Sequence, residues 1–144
     1  MRFIADANVL LPILSSDHPH HGAALAWWEE CDDGDVGLCL PVRMAILRLL
    51  SNRRVMGSSV QRPEAAWAAM EALAAEPRAV VIDQVPASHA ACWRENAAGR
   101  EPTPDLWTDA WVAALARSLG CEMVTFDRGF RAFKGVKLRL LGAA

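Results

Sequence analysis

The stretch Arg2-Phe3-Ile4-Ala5-Asp6-Ala7-Asn8-Val9-Leu10-Leu11 determines how the rest of the chain is interpreted. An apolar run over residues 3–5 predicts a short buried strand that stops at Asp6. Asn8 is placed to cap the helix that the following apolar residues indicate. A carboxylate at the carboxyl end of a parallel strand lies where open α/β sheets hold their ligands. Asp6 is therefore a candidate ligand, and the alternative is that it merely ends a strand or caps a helix.

Short apolar segments alternate with helical segments along the whole chain. Further strands are predicted at residues 36–40, 79–82, 122–126 and 138–141. Helices are predicted after Asp6, from Pro41, and at residues 23–30, 63–75, 87–98 and 104–119. The last of these has Thr103 and Pro104 as cap and first-turn residues. This alternation predicts a three-layer α/β/α fold, with helices on both faces of a mostly parallel sheet of about five strands. The pattern leaves the strand order open.

Length and composition indicate one folded domain over residues 1–144. A hydrophobic content of 53% argues against disorder. No apolar run approaches the ~20 residues of a membrane span, and no signal peptide precedes Phe3, so we expect a cytoplasmic protein without membrane association. The four cysteines are scattered, without a C-x-x-C pair. This favours free thiols over a disulfide scaffold or a metal–thiolate site.

The net charge of −2 conceals a strong segregation of charge. Residues 41–62 and residues 128–144 together carry ten of the fifteen basic side chains and no acid. Such segments are either solvated faces or a surface that binds phosphate groups. Four arginines of the first segment are candidates for phosphate contact: Arg43, Arg48, Arg53 and Arg54.

Acidic side chains recur where the predicted elements meet one edge of the sheet. Asp109 lies on the apolar face of its helix, and a buried carboxylate is costly unless something compensates it. Asp105 lies one turn earlier, where it favourably faces the helix dipole but repels Asp109. Asp127 follows the fourth strand as Asp6 follows the first. Asp83 also follows a strand, the third, but no other candidate residue lies near it in the sequence, so it is interpreted as a turn residue. A bound cation would account for the set, and oxygen ligands suit Mg²⁺ or Mn²⁺ rather than zinc.

The chain closely resembles the PIN-domain ribonucleases in three segments: Asp6-Ala7-Asn8-Val9-Leu10-Leu11, Trp107-Thr108-Asp109-Ala110-Trp111-Val112-Ala113-Ala114-Leu115-Ala116 and Val124-Thr125-Phe126-Asp127-Arg128-Gly129-Phe130. A fourth segment, Leu47-Arg48-Leu49-Leu50-Ser51-Asn52 followed by Arg54-Val55-Met56, looks like the middle of VapC-type toxins of VapBC toxin–antitoxin systems. Each motif is weak alone, but their order and spacing are specific. The resemblance covers essentially the whole chain.

This resemblance implies a PIN-like fold and Mg²⁺- or Mn²⁺-dependent endonucleolytic cleavage of RNA. In the family, acids that match Asp6, Asp109 and Asp127 form the metal-binding and catalytic site. Thr125 matches a hydroxyl position beside that site, and Asn8 matches a position that supports the first aspartate. The resemblance further implies a toxin of a type II pair, with a VapB-like antitoxin as its partner and a homodimer as its assembly. With RNA as the substrate, Arg43, Arg48, Arg53 and Arg54 are the best candidates for RNA contact, although some of them could face the antitoxin instead.

One position departs from the family pattern. Family members usually carry a glutamate early in the helix after the second strand, and the matching residue here is Met44. A thioether is a poor ligand for a hard cation, and its ordinary role would be core packing with Leu47. Either three aspartates suffice, with Asp105 as a conceivable substitute, or the site is weakened enough to impair catalysis.

Two other classes of function compete with the nuclease. A PIN-like module that binds RNA or protein without hydrolysis is favoured by Met44. A phosphotransferring α/β domain built on Asp6 is disfavoured, because haloacid-dehalogenase-type sites need an acid where Asn8 stands. Receiver-type domains need an adjacent acidic pair that this chain lacks.

Overall fold

The computed structural model describes residues 1–142, and over that range it has the predicted three-layer α/β/α architecture. The strands are β1 (Phe3–Ala5), β2 (Val36–Cys39), β3 (Ala79–Ile82), β4 (Glu122–Thr125) and β5 (Lys137–Leu140). The helices are α1 (Ala7–Ile13), α2 (His21–Glu30), α3 (Leu40–Leu50), α4 (Arg53–Met56), α5 (Pro63–Ala74), α6 (His89–Ala97) and α7 (Leu106–Leu119). Short 3₁₀ turns span Gly57–Ser59 and Arg128–Ala132.

The sheet has the strand order β3-β2-β1-β4-β5, and every pairing is parallel. The chain steps from β1 outward to β2 and β3, then returns to the other side of β1 for β4 and β5. Because such crossovers are right-handed, the helices of the first half lie on one face and α6 and α7 on the other. Contacts agree with this: α1 packs on α2 and α3, and α6 packs on α7.

The direction of the chain reverses between β1 and β4, which makes this pair the topological switch point of the sheet. Ligands of open α/β sheets bind at the carboxyl ends of the strands beside such a point. The register places Ala5 opposite Val124, and the amide of Asp6 donates to the carbonyl of Val124 at 2.9 Å. The residues that follow β1 and β4 therefore meet at one edge.

The hydrophobic core lies on both faces of the central strands. β1, β2 and most of β4 are buried, because helices cover both of their sides. β3 is an edge strand, and its Val80 and Val81 are exposed. The helix α7 buries a nearly continuous surface from Ala110 to Ala116, which fixes it against β1 and β4.

Several sequence predictions about local structure were wrong. Asn8 does not cap α1, because that helix begins at Ala7 with Asp6 in the cap position. The helix α7 begins at Leu106 with Asp105 in its cap position, so Thr103 and Pro104 belong to the preceding turn. Met44 is 55% exposed on α3 and does not pack in the core with Leu47.

The cysteines and the lengths of the helices bear on the composition of the chain. All four cysteines lie in the described part of the chain and are free thiols. Across residues 1–142, no helix combines the length and apolar character needed to cross a bilayer.

Candidate active site

Three elements bring aspartates to the switch-point edge of the sheet. Asp6 directly follows β1, and Asp127 lies two residues beyond the end of β4. Asp109 lies in the first turn of α7, which packs against both strands. Since Asp6 and Thr125 continue the paired register of β1 and β4, the edge joins side chains that are 119 residues apart in sequence.

The Thr125 hydroxyl is the centre of a buried hydrogen-bond network. It donates to Asp6 Oδ2 at 3.0 Å and accepts from the Asn8 side-chain amide at 3.1 Å. It also accepts from the backbone N–H of Asp127 at 3.0 Å. Asn8 Oδ1 accepts from the backbone N–H of Phe126 at 3.2 Å. The network fixes the Asp6 carboxylate and the backbone that leads into Asp127 in one arrangement.

The Asp127 carboxylate is oriented by the turn that follows it. Its Oδ1 accepts from the backbone N–H of Gly129 at 2.8 Å. A Cβ atom at position 129 would lie 3.0 Å from that same oxygen, so a side chain there would press on the carboxylate. Glycine therefore lets the turn close on Asp127 while its other oxygen remains available to a ligand.

The acidic side chains share one electrostatic field. Burial, followed by the charges of Asp6, Asp105 and Asp127 in that order, raises the pKa of Asp109 to about 7. Burial is also the main cause that raises the pKa of Asp6, opposed by its hydrogen bond from Thr125. Carboxylates that repel one another in a partly buried place are stabilised by a cation, which is the usual property of a binding site for one.

A cleft of about 490 Å³ opens beside these groups. We call it the acidic cleft, because four acids line it: Glu101, Asp105, Asp109 and Asp127. Arg100 and Phe133 also line it. Asp6 is more deeply buried than Asp109 and is not part of the lining.

The donor set fits a hard divalent cation better than any other cofactor. The groups that face one another are carboxylates and one hydroxyl, which are the ligands of Mg²⁺ and Mn²⁺. Within residues 1–142, no three His, Cys, Asp or Glu side chains are drawn together tightly enough to form a finished metal cage. The carboxylates thus lie near one another and repel one another, and they would have to move closer together to coordinate one cation.

The four predicted RNA-binding arginines have different surroundings. Arg43 donates to the Asp83 carboxylate at 2.6 Å and to the carbonyl of Ile82 at 3.2 Å, so it ties α3 to the end of β3. Arg48, Arg53 and Arg54 have exposed side chains and form no ion pair with any residue in the described range. Asp83 is therefore a structural partner of Arg43, rather than a simple turn residue.

Sequence reasoning missed the wall of the cleft that the connection between α6 and α7 supplies. Arg100, Glu101 and Thr103 come from this connection, and Phe133 comes from the turn before β5. Pro102 and Pro104 mark a rigid loop directly before the helix that carries Asp109. The position of this proline-flanked loop before α7 was the one sequence signal for Arg100, Glu101 and Thr103 as residues of the cleft.

The fold and the site together define an α/β protein with an acidic, hard-metal type of site at its switch point. The chain belongs to the PIN-domain family, since the model of the PIN domain matches residues 3–136. It is similar to Ribonuclease VapC41 of Mycobacterium tuberculosis, with 37% identity over 142 residues, 96% of this chain and 97% of the relative. It is similar to Ribonuclease VapC31 of the same species, with 34% identity over 94% of this chain and 95% of the relative.

Solved structures support the fold. The VapBC2 structure from Rickettsia felis, bound to a DNA fragment from its promoter, superposes with a TM-score of 0.68 at 13% identity, covering 98% of this chain and 99% of that one. VapC20 of Mycobacterium tuberculosis, described as a toxin that cleaves the sarcin–ricin loop, superposes with a TM-score of 0.64 at 22% identity, covering 94% and 98%. The predicted family and fold class are therefore confirmed.

Proposed function

We propose that this protein is a Mg²⁺- or Mn²⁺-dependent endoribonuclease and the toxin of a type II toxin–antitoxin pair. The observation that carries the proposal is the grouping of Asp6, Asp109 and Asp127 at the switch point of a PIN fold, with the pKa of Asp109 raised to about 7. Relatives that match nearly the whole chain bear the name Ribonuclease VapC, which supports the activity. Free thiols fit a cytoplasmic protein, where an RNA substrate is available.

In this proposal each residue of the site has a defined task. Asp6 and Asp109 hold the cation, and Asp127 completes the site. Asn8 and Thr125 keep the Asp6 carboxylate in place through the hydrogen bonds described above. A bound Mg²⁺ or Mn²⁺ would supply activation of the attacking water and neutralise charge on the phosphodiester.

The basic surface supplies affinity for RNA rather than chemistry. Arg48, Arg53 and Arg54 are exposed on α3 and α4, and they are available to phosphates. Arg43 is already paired with Asp83, so it contributes less unless that pair opens. Contacts to phosphates release counterions, so RNA binding should weaken steeply as salt rises.

A VapB-like antitoxin is the proposed partner, and a homodimer the proposed assembly. Solved VapBC structures, including one from nontypeable Haemophilus influenzae, share the fold of this chain. Leu40, Met44 and Trp107 are more than half exposed at the starts of α3 and α7. Exposed Trp and Met side chains of this kind are suitable anchors for a partner protein.

A non-hydrolytic PIN-like module that binds RNA or protein is the second candidate. Met44 favours it, because this exposed thioether stands where the family usually has a glutamate. The two candidates predict different outcomes in one assay.

That assay is cleavage of end-labelled RNA with Mg²⁺, Mn²⁺ or EDTA. We expect products only with a divalent ion, and Asp6→Asn should slow cleavage at least ~100-fold, since even indirect disturbance of metal ligands costs 10- to 100-fold. Asp83→Asn is the matched control, because Asp83 also ends a strand but lies outside the proposed metal site. It should cleave normally at saturating RNA, where the release of Arg43 cannot change the rate through affinity. RNA binding without metal-dependent products would favour the non-hydrolytic module.

A further inference from the structure

Arg100 is the cationic side chain in the wall of the acidic cleft. It follows Gly99, whose φ of +73° turns the chain away from the end of α6. Its side chain lines the acidic cleft and also a second cleft of about 310 Å³. The guanidinium carbon lies 4.7 Å from the centre of the Phe133 ring, a cation–π contact that holds the group in place.

The guanidinium is not saturated by protein acceptors. Within residues 1–142, no carboxylate oxygen lies within 4.0 Å of it, although four acids line the same cleft. Its Nη1 atom is buried and has no hydrogen-bond partner in that range. Burial of an unpaired donor is costly, so the side chain has capacity for an acceptor that the protein does not supply.

Arg117 provides the contrast. It lines the second cleft with Arg100, but its Nη1 is 3.2 Å from the Glu95 carboxylate. An arginine in this part of the fold can therefore reach an acid when one is suitably placed. Arg100 has acids on the same wall, and instead it stacks on Phe133.

We propose that Arg100 binds a phosphate of the RNA backbone in the acidic cleft, next to the proposed metal site. This inference rests on the proposed function. The planar guanidinium suits phosphate oxygens, and the contact with Phe133 reduces the rotamer entropy lost on binding. The acids of the cleft repel the RNA backbone, and the positive charge of Arg100 offsets this repulsion next to the proposed metal site. The arginines of α3 and α4 belong to a separate segment and do not line this cleft.

Binding measured in EDTA separates this contact from metal chemistry. The probe is a fluorescein-labelled single-stranded RNA of mixed sequence, followed by anisotropy between 50 and 250 mM salt. Arg100→Met should weaken binding by roughly tenfold at the lowest salt and reduce the salt slope by about 0.7, the value for one phosphate contact on a single strand. Arg100→Lys should keep most of the slope but recover only part of the affinity, because it lacks the fork.

Arg117→Met is the matched control, because it removes an arginine from the neighbouring cleft that is already paired. It should leave RNA affinity within about twofold of wild type, since paired surface charges contribute little. Melting temperatures of all variants are measured without RNA. If Arg100→Met does not fold, Arg100→Lys and Arg100→Gln decide the question.

The outcomes separate this inference from the proposed function. Weakened binding by the folded Arg100 variants alone supports the contact, even if the wild type fails to cleave RNA with Mg²⁺ and the nuclease proposal falls. Unchanged binding by those variants, or equal losses with Arg117→Met, overturns the contact while cleavage can still stand. Absence of RNA binding by the wild type in EDTA also overturns it.

Discussion

At the scale of single residues, the burial and mutual repulsion of the site's carboxylates lower the stability of the metal-free protein. Asp109 carries the clearest sign, because burial and three neighbouring acids raise its pKa to about 7. Between its ordinary pKa of 3.8 and about 7, the folded protein holds a proton that the unfolded chain releases. Stability therefore falls as the pH rises through that window, and the penalty is complete above it.

Asp109→Asn should accordingly stabilise the metal-free protein. A shift of about three pKa units sets an upper limit of ~4 kcal/mol, and the partial exposure of the group reduces this to about 1–2 kcal/mol. Thermal unfolding in EDTA should show a melting temperature higher by a few degrees at pH 8 and a smaller gain at pH 5. Asp83→Asn, which breaks an ion pair, should bring no gain. A lower melting temperature for Asp109→Asn at pH 8 would contradict this account.

The role of a residue could be predicted where the sequence puts it in a position that is energetically unfavourable without a ligand. Asp109 was identified because a carboxylate on an apolar helix face needs a reason to be there. The role of Asn8 as a cap was wrong, because its amide bonds to Thr125, 117 residues away, and local patterns do not reveal such a partner. Arg100 was missed for the same reason, since its position in the cleft depends on how α6 and α7 pack.

At the scale of elements, α3 carries the main departure from the family pattern. It begins directly after β2, the neighbour of β1, so its first turns lie at the same edge of the sheet as Asp6. Met44 is 55% exposed there, and a carboxylate in its place would remain solvated until it met a cation. Position 44 is therefore a suitable site for an additional ligand.

Met44→Glu should raise cleavage at limiting Mg²⁺ by roughly tenfold, because an added ligand strengthens metal binding. Rates are measured across a Mg²⁺ titration, and the two proteins should approach each other at saturation. Met44→Gln has the same shape without the charge and should behave as wild type. An unchanged rate for Met44→Glu would show that the three aspartates form a complete set and that position 44 takes no part.

Most elements were predictable because each has a strong local cause. Apolar runs marked the five strands to within a residue at each end, and Pro63 marked the first residue of α5. The start of α7 was placed too early, since Thr103 and Pro104 suggested a cap and first turn that the chain uses as a connecting turn. The exposure of β3 depends on its place at the edge, which alternation of strands and helices does not determine.

At the scale of the whole molecule, the strand order gives the site its location. The order β3-β2-β1-β4-β5 puts the reversal of the chain between β1 and β4. The two strands followed by Asp6 and Asp127 are therefore neighbours at the one crevice the topology creates. The sequence predicted the layers but not this order, because strand order depends on which crossover goes left or right of β1.

The measurement that tests the central claim most directly is Mn²⁺ binding to the whole protein, followed by the loss of the free-ion signal in electron paramagnetic resonance. We predict saturable binding by the wild type and by Asp83→Asn. Asp6→Asn and Asp109→Asn should each weaken binding by at least about tenfold, because each removes a direct ligand. Equal Mn²⁺ affinity in the wild type and both aspartate variants would contradict the claim that these carboxylates form the metal site.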